Sequence, residues 1–176
     1  HIEDQVFPKR CGHLDGKTLI SIDDMAAKVQ AAAETKSKDF VLIARTDARG
    51  IEGLDAAIER GNAYHAAGAD MIFPEGLASE DEFAEFASSC PGLLFANMTE
   101  FGKTPIIPVS RFQELGYDIV IFPVTTQRIA MHAVAKALAT IKSKGSVESI
   151  LSDMQTRQEL YDLLGYTPDT EWKPHG

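Results

Sequence analysis

Short apolar runs alternate with longer amphipathic stretches along most of the chain. The run from Phe40 to Ala44 is continuous, as expected for a strand that is covered on both faces. The predicted strands are 1–4, 40–44, 71–73, 93–96 and 119–122, the first being only the end of a strand. The predicted helices are 21–36, 54–67, 79–88, 109–115 and 125–143.

Local signals mark several helix ends. Ser21 followed by Asp24 resembles a capping box in which Asp replaces the preferred Glu. Gly68 and Gly116 stand where helices stop, and glycine favours such positions because it adopts the left-handed conformation.

The order of these elements predicts the fold. Strand and helix alternate with about 25–30 residues per unit, which is typical of a parallel sheet with crossover helices. A complete eightfold barrel typically needs about 250 residues, so this chain of 176 residues is predicted to supply the later strands and helices of a (β/α)8 TIM-type barrel. An open doubly wound sheet is the alternative, less favoured because no glycine-rich phosphate turn follows the first strand.

The segment after Gly145 differs in character. We predict a barrel portion over 1–145 and a C-terminal helical tail over 146–176, with one or two amphipathic helices in 149–164. Because the chain opens with His1 inside an apparent strand end, we expect it to be the later part of a longer polypeptide.

Charge and composition exclude several partners. Twenty-six acidic against 17 basic residues give a net charge of −9, which argues against nucleic acid or an acidic membrane as partner. No apolar run approaches the ~20 residues of a membrane span. The two cysteines, Cys11 and Cys90, favour a reducing, cytoplasm-like compartment, although one bridge stays open.

Polar residues follow every predicted strand. Taken alone, Asp47 could cap a loop, Asn97 could close a turn, and Arg128 could lie on a solvated helix face. Their agreement favours a site, because the carboxyl ends of parallel barrel strands meet at one face. The residues concerned are Glu3, Asp4, Arg45, Thr46, Asp47, Glu75, Asn97, Thr99, Glu100 and Arg128.

These side chains suit an anionic ligand. Arg45 and Arg128 offer planar guanidinium groups that bind carboxylates at two points. Asn97 and Thr99 can donate hydrogen bonds to carboxylate or hydroxyl oxygens. A small polycarboxylate fits this set, whereas a nucleotide does not, because no P-loop is present.

The carboxylates of the same set suit a metal. Glu3, Asp4 and Glu75 are hard oxygen ligands of the kind that hold Mg²⁺, often through its water molecules. We therefore expect the polycarboxylate to be bound through the metal.

The segment from Lys9 to His13 carries a second signal. Cys11 follows two cationic residues, which favour its thiolate, and Gly12 lets backbone and ligand approach closely. The segment is predicted to be a loop that performs acid–base chemistry. The alternative is an exposed loop with an incidental cysteine.

Several strings resemble the isocitrate lyase and phosphoenolpyruvate mutase superfamily, and within it the 2-methylisocitrate lyases. The resemblance covers nearly the whole chain, and the string 9–13 is specific for the lyase branch. The strings lie at 1–5, 9–13, 44–47, 53–60, 73–75, 97–102 and 154–157.

The resemblance implies a Mg²⁺-dependent cleavage of 2-methylisocitrate to pyruvate and succinate, as in propionate catabolism. It implies that Cys11 is the general acid and acts as the thiol, which qualifies the thiolate argument. It implies that Glu3 is a metal ligand, acting through water. The implied substrate-binding residues are Cys11, Gly12, Arg45, Glu75, Asn97, Thr99, Arg128 and Arg157, the last on the resemblance alone.

The resemblance also defines what we expect outside this chain. Family members carry a preceding segment with a Ser-Gly-Gly turn, two metal-binding aspartates and a tyrosine that is the expected base. They form homotetramers with exchanged C-terminal helices, on which Trp172 is expected to pack. The alternatives are a related enzyme acting on isocitrate, dimethylmalate or oxaloacetate, or an inactive fragment.

Other candidates receive structural interpretations. Cys90 is predicted to be a structural or incidental thiol, and His65 and His132 to be surface or packing residues. His13 receives only a role in ordering or charging its loop.

Overall fold

Five parallel strands form one sheet in sequence order, so each crossover returns the chain to the neighbouring position. The computed structural model describes residues 1–12 and 14–168; His13 and Trp172 lie outside the described residues. The strands are β1 (Ile2–Glu3), β2 (Ile43–Thr46), β3 (Met71–Pro74), β4 (Leu93–Asn97) and β5 (Ile119–Ile121). The helices are α1 (Ile22–Thr35), α2 (Leu54–Ala66), α3 (Glu80–Ser89), α4 (Val109–Glu114), α5 (Thr125–Lys144) and α6 (Arg157–Leu164).

The predicted helix ends are confirmed where capping chemistry marks them. The Ser21 side chain accepts a hydrogen bond from the Asp24 N–H at the start of α1. Gly68 and Gly116 follow α2 and α4 with φ of 108° and 87°, values that glycine alone adopts without strain. A short 3₁₀ helix, Ala48–Gly50, adds to the predicted elements. A second, Glu148–Asp153, lies with α6 in the region predicted to hold one or two amphipathic helices.

The predicted strand 40–44 is corrected. β2 begins at Ile43, and Phe40 and Val41 are 56% and 53% exposed instead of covered on both faces. The Leu42 N–H donates to Asp70 Oδ2 at 2.7 Å, and the Leu42 carbonyl accepts from the Asp70 N–H at 2.9 Å. The loop after α2 therefore holds this backbone before strand pairing begins.

The two faces of the sheet bury different side chains, because successive strand residues point to opposite faces. One face packs on the helices, through strand residues such as Ala44, Ile72 and Leu94. The other face, called the inner face here, carries the cluster of Met71, Phe73 and Phe95, with Ile43 and Ile121 packed against it.

The chain divides into two compact units, 1–125 and 126–176. The second unit contains most of α5, the second 3₁₀ helix and α6, which begins with a full capping box between Thr156 and Glu159. The separately predicted tail boundary at 145/146 stays a prediction. Within residues 1–12 and 14–168, no helix combines the length and the apolar content needed to cross a membrane.

Candidate active site

Arg45 lies at the centre of the candidate site, on the inner face of β2. Parallel pairing sets it beside Glu3 of β1 and Phe73 of β3. Its guanidinium carbon stands 5.0 Å from the centre of the Phe73 ring, a cation–π contact. Arg45 is thus a residue of the strand itself, although its position was predicted to lie just beyond the strand.

Three carboxylates surround this guanidinium. Asp47 accepts from Nε and Nη2 of Arg45, each at 3.0 Å, in a two-point ion pair. Glu75 Oε2 lies 3.0 Å from Nη1, and Glu3 Oε2 lies 3.4 Å from Nε. Burial of Arg45 disfavours its charge, but these carboxylates outweigh burial and raise its pKa. The guanidinium is therefore permanently charged and rigidly held.

Arg45 is not a free anion receptor in this arrangement. Its two-point fork, predicted to bind a substrate carboxylate, is taken by Asp47 of the same chain. A bound carboxylate would have to share the guanidinium with Asp47 or Glu75. The substrate-binding role of Arg45 stays a prediction.

Arg45 and the carboxylates of Glu3, Asp47 and Glu75 are called the charged cluster here, and Asn97 extends it to β4. Its Nδ2 donates to the two oxygens of Glu75 at 3.2 and 3.4 Å. Its Oδ1 is buried and, among the described residues, has no hydrogen-bond partner. A buried acceptor without a donor is costly, so this oxygen is suited to accept a hydrogen bond from a ligand hydroxyl.

The loop that carries Cys11 lies against this cluster. Gly12 is buried, and a Cβ atom built on it would lie 2.5 Å from Nη2 of Arg45 and 2.8 Å from Cδ of Glu75. Only a glycine fits there without a shift of its neighbours. Cys11, the residue before Gly12, is exposed, so the loop carries an accessible thiol one residue away from this contact.

Glu3, the predicted metal ligand, is held by cations. Lys9 Nζ lies 2.9 Å from Oε1 of Glu3, in addition to the contact with Arg45. Among the described residues, no group of three His, Cys, Asp or Glu side chains could hold a metal ion. The described part of the chain therefore supplies no complete set of metal ligands by itself.

Asp4 is corrected from a candidate metal ligand to a structural residue. It points to the helix side of the sheet and is fully buried. It accepts from the Asp47 N–H at 2.9 Å, from the Tyr64 hydroxyl at 2.9 Å and from Arg60 Nη1 at 3.4 Å. Burial raises the pKa of Asp4, partly offset by these donors.

The remaining predicted residues are less closely tied to the cluster. Thr99 is buried two residues beyond β4. Arg128 on α5 and Arg157, the first residue of α6, are exposed residues of the second unit. Their roles, and that of Thr99, stay predictions.

Sequence reasoning missed how several residues act. The sequence places Asp47 among the strand-end residues but does not predict its ion pair with Arg45, although the two residues share one face by the two-residue period of a strand. Gln5 and Lys17, which hold the Cys11 loop, carried no signal in the sequence, because their partners are backbone atoms.

Parallel β/α topology, with charged side chains gathered at the carboxyl ends of the strands, defines a protein of the (β/α)-barrel class. A family model described as phosphoenolpyruvate phosphomutase matches residues 1–142. The chain belongs to this family of the isocitrate lyase and phosphoenolpyruvate mutase superfamily.

Known relatives agree with this assignment. The 2-methylisocitrate lyase of Aeropyrum pernix is 55% identical over 165 residues, which are 94% of this chain and 53% of that protein. The crystal structure of 2,3-dimethylmalate lyase, a superfamily member, matches with a TM-score of 0.83 at 36% identity, over 94% of this chain and 56% of that one. This chain spans about half the length of the curated relatives it matches.

A third likeness concerns a metal complex. A phosphonopyruvate hydrolase solved with oxalate and Mg²⁺ matches with a TM-score of 0.76 at 29% identity, over 93% of this chain and 57% of that one. The solved structures confirm the predicted TIM-type fold class, of which this chain supplies a part.

Proposed function

We propose that the protein containing this chain is a Mg²⁺-dependent carbon–carbon lyase that cleaves 2-methylisocitrate to pyruvate and succinate. The observation that carries the proposal is the contact of Gly12 with Arg45 and Glu75, which brings the Cys11 loop onto the charged cluster. The proposed substrate is supported by similarity: identity to 2-methylisocitrate lyases ranges from 40% to 55% among the relatives considered, against 39% to a 2,3-dimethylmalate lyase.

The cleavage requires two proton movements. The substrate hydroxyl passes its proton to a base, which is expected to be the tyrosine of the preceding segment, and becomes the carbonyl of pyruvate as the carbon–carbon bond breaks. The bonding electron pair stays on the succinate carbon, which then needs a proton. The exposed Cys11 thiol donates that proton and is left as a thiolate, to be reprotonated before the next turnover.

The charged cluster binds and orients in this mechanism. Before its proton leaves, the substrate hydroxyl donates a hydrogen bond to Asn97 Oδ1, which has no partner among the described residues. Glu75 holds the Asn97 amide and is itself held by Arg45, so the acceptor has a fixed direction. Thr99, Arg128 and Arg157 complete the proposed substrate contacts.

Mg²⁺ is part of the proposal for the whole protein. In the complete protein, a bound Mg²⁺ would supply Lewis-acid chemistry at the hydroxyl and carboxylate of the substrate. Glu3 is the residue of this chain proposed to ligate it, through water. Assembly into a homotetramer is likewise proposed from the resemblance.

The experiment is a substrate panel on the complete protein with MgCl₂. Pyruvate release is measured with 2-methylisocitrate, isocitrate, 2,3-dimethylmalate and oxaloacetate, each also with EDTA. We expect the highest kcat/KM for 2-methylisocitrate and loss of turnover with EDTA. A higher value for another substrate would contradict the substrate assignment.

The role of Cys11 is tested in the same assay. Cys11→Ser is expected to lower kcat by about 100-fold or more, the range of a lost general acid. Cys90→Ser is the matched control and is expected to keep near-normal turnover, since Cys90 is buried behind the sheet. Near-normal turnover of Cys11→Ser would refute the role of Cys11.

A further inference from the structure

Gln5 lies at the base of the Cys11 loop, on a fixed backbone. Gln5 forms an isolated antiparallel bridge with Leu19. On either side, the Val6 N–H donates to the Thr18 carbonyl at 2.8 Å and the Ile20 N–H donates to the Asp4 carbonyl at 2.9 Å. The two ends of the loop are thus joined, and the buried Gln5 side chain points from this junction into the loop.

The Gln5 side chain binds one peptide backbone at two points. Its Nε2 donates to the Arg10 carbonyl at 2.9 Å, and its Oε1 accepts from the Arg10 N–H at 2.8 Å. A primary amide is suited to this role, because one group supplies both the donor and the acceptor. Arg10 directly precedes Cys11, so the clamped carbonyl belongs to the peptide bond that begins Cys11.

A second anchor lies on the other side of Cys11. Lys17 Nζ donates to the carbonyls of Gly12 and Leu14. The Leu14 N–H donates to the Cys11 carbonyl at 3.0 Å, so the backbone of the thiol-bearing residue is held directly as well. Cys11 therefore lies between two backbone anchors.

We propose that Gln5 is a positioning residue that sets the location of the Cys11 thiol over the charged cluster. This inference rests on the proposed lyase function. Among the described residues, the Gln5 side chain forms its hydrogen bonds with the Arg10 backbone, so it acts by holding that backbone. Its loss should lower turnover with little effect on substrate affinity.

The first test measures the anchor without using activity. Trypsin cleaves after Arg10 only when this backbone leaves the Gln5 clamp. In the complete protein, Gln5→Ala should increase cleavage at the Arg10–Cys11 bond at least about fivefold, since two hydrogen bonds are lost. Gln30→Ala is the matched control, because the exposed Gln30 of α1 donates to the exposed Glu34, and its loss should leave this rate unchanged.

The second test measures catalysis. Gln5→Ala should lower kcat by about tenfold to a hundredfold, the usual cost of misplacing a reacting group by about 1 Å. KM should change less than about threefold, since the charged cluster is intact. Lys17→Met should likewise lower kcat while KM changes less than about threefold.

A pH profile separates positioning from general stability. Gln5→Glu keeps the length of the side chain but presents a carboxylate to the Arg10 carbonyl. Once protonated, its carboxyl group again offers one donor and one acceptor. The ratio of its kcat to that of the wild type should therefore rise as the pH falls, whereas Gln5→Ala should show a constant ratio.

Each outcome is decisive. Faster cleavage after Arg10 together with the fall in kcat supports the proposal. A fall in kcat without faster cleavage, or faster cleavage with normal kcat, overturns it. If the wild type releases no pyruvate from any substrate, the proposed function fails and the catalytic role of Gln5 with it, while the trypsin rates still show whether the anchor exists.

Discussion

Gly12 lies so close to Arg45 that a Cβ atom on the glycine would stand 2.5 Å from Nη2 of the arginine. The atoms cannot approach that closely, so a larger residue at position 12 must displace the loop or the guanidinium. This contact joins the loop of Cys11 to the inner face of the sheet. Substitution of Gly12 by alanine, which adds a single methyl group, therefore tests this arrangement.

Gly12→Ala is therefore expected to lower turnover of the complete protein by about 100-fold, through displacement of Cys11. The helix side of the sheet is not involved, so the free energy of unfolding should fall by less than about 2 kcal/mol. Steady-state kinetics and urea unfolding measure the two effects.

Gly50→Ala is the matched control for this substitution. Its added Cβ would meet its nearest neighbour, Nζ of Lys17, at an ordinary 3.6 Å. Turnover should stay within about twofold of the wild type. Unchanged turnover in Gly12→Ala would contradict the contact.

The two thiols are expected to differ in reactivity. Cys11 is exposed, whereas Cys90 is 3% exposed and burial raises the pKa of its thiol to about 11. Because the thiolate is the reactive form, iodoacetamide at pH 8 should modify Cys11 and spare Cys90 until the protein is unfolded. Peptide mass spectrometry measures both sites, and equal labelling rates would disprove the assignment.

Asp4→Asn is expected to destabilise the protein without a direct effect on the site. The substitution removes a buried charge that accepts from Tyr64, Arg60 and the backbone of Asp47. Asparagine offers one acceptor oxygen where the carboxylate offers two, so either the Asp47 N–H or the Tyr64 and Arg60 donors lose their acceptor, which should cost about 2–4 kcal/mol in urea unfolding.

Asp39→Asn is the control for Asp4, since Asp39 is exposed. Its stability should match the wild type within about 0.5 kcal/mol. If Asp4→Asn were equally neutral, the structural role of Asp4 would be wrong, and its place among metal ligands would have to be reconsidered.

Two ion pairs predict the response of stability to acid. The pKa of Asp70 is lowered by Lys36 and by the Leu42 N–H, and the pKa of Glu82 is lowered by Arg49. Such carboxylates contribute stability that is fully present above their ordinary pKa values of 3.8 and 4.5 and is lost as pH falls through the lowered values. Stability from these pairs should therefore decrease on acidification from pH 6 towards about pH 3.

The double variant Asp70→Asn and Glu82→Gln isolates this contribution. Its stability should change less between pH 6 and about pH 3 than that of the wild type. Asp4 affects stability in the opposite direction, because a raised pKa makes its contribution to stability decrease as pH rises. This contribution is present in both the variant and the wild type. Parallel curves for the variant and the wild type would contradict the assignment.

The fold was largely predictable because each crossover helix has its own local signals. Ser21 caps α1 and Gly68 ends α2, and neither needs a distant partner to be recognised. The predicted strand start at Phe40 is wrong because of a distant residue. Asp70, thirty positions later, forms hydrogen bonds with the Leu42 backbone just before β2 begins. Periodicity over a few residues cannot detect such a contact.

The site was only partly predictable. Arg45, Glu75 and Asn97 were selected because each lies near the end of a parallel strand, and the structure brings these three together. The ion pair between Arg45 and Asp47 depends on side-chain geometry, which one sequence does not specify. Arg157 had no signal of its own beyond the resemblance.

The alternation along β1 has a consequence for engineering. Glu3 contacts Arg45 of the charged cluster on one side of the sheet. Its neighbour Asp4 accepts a hydrogen bond from the buried Tyr64 on the other side. Deleting or inserting a single residue just ahead of Gln5 would turn each side chain of β1 to the opposite face of the sheet. Neither environment would then keep its own carboxylate, and catalysis and folding would fail together. Fusion joints, tags and loop grafts should therefore be placed away from this strand, at positions where a shift by one residue changes neither partner.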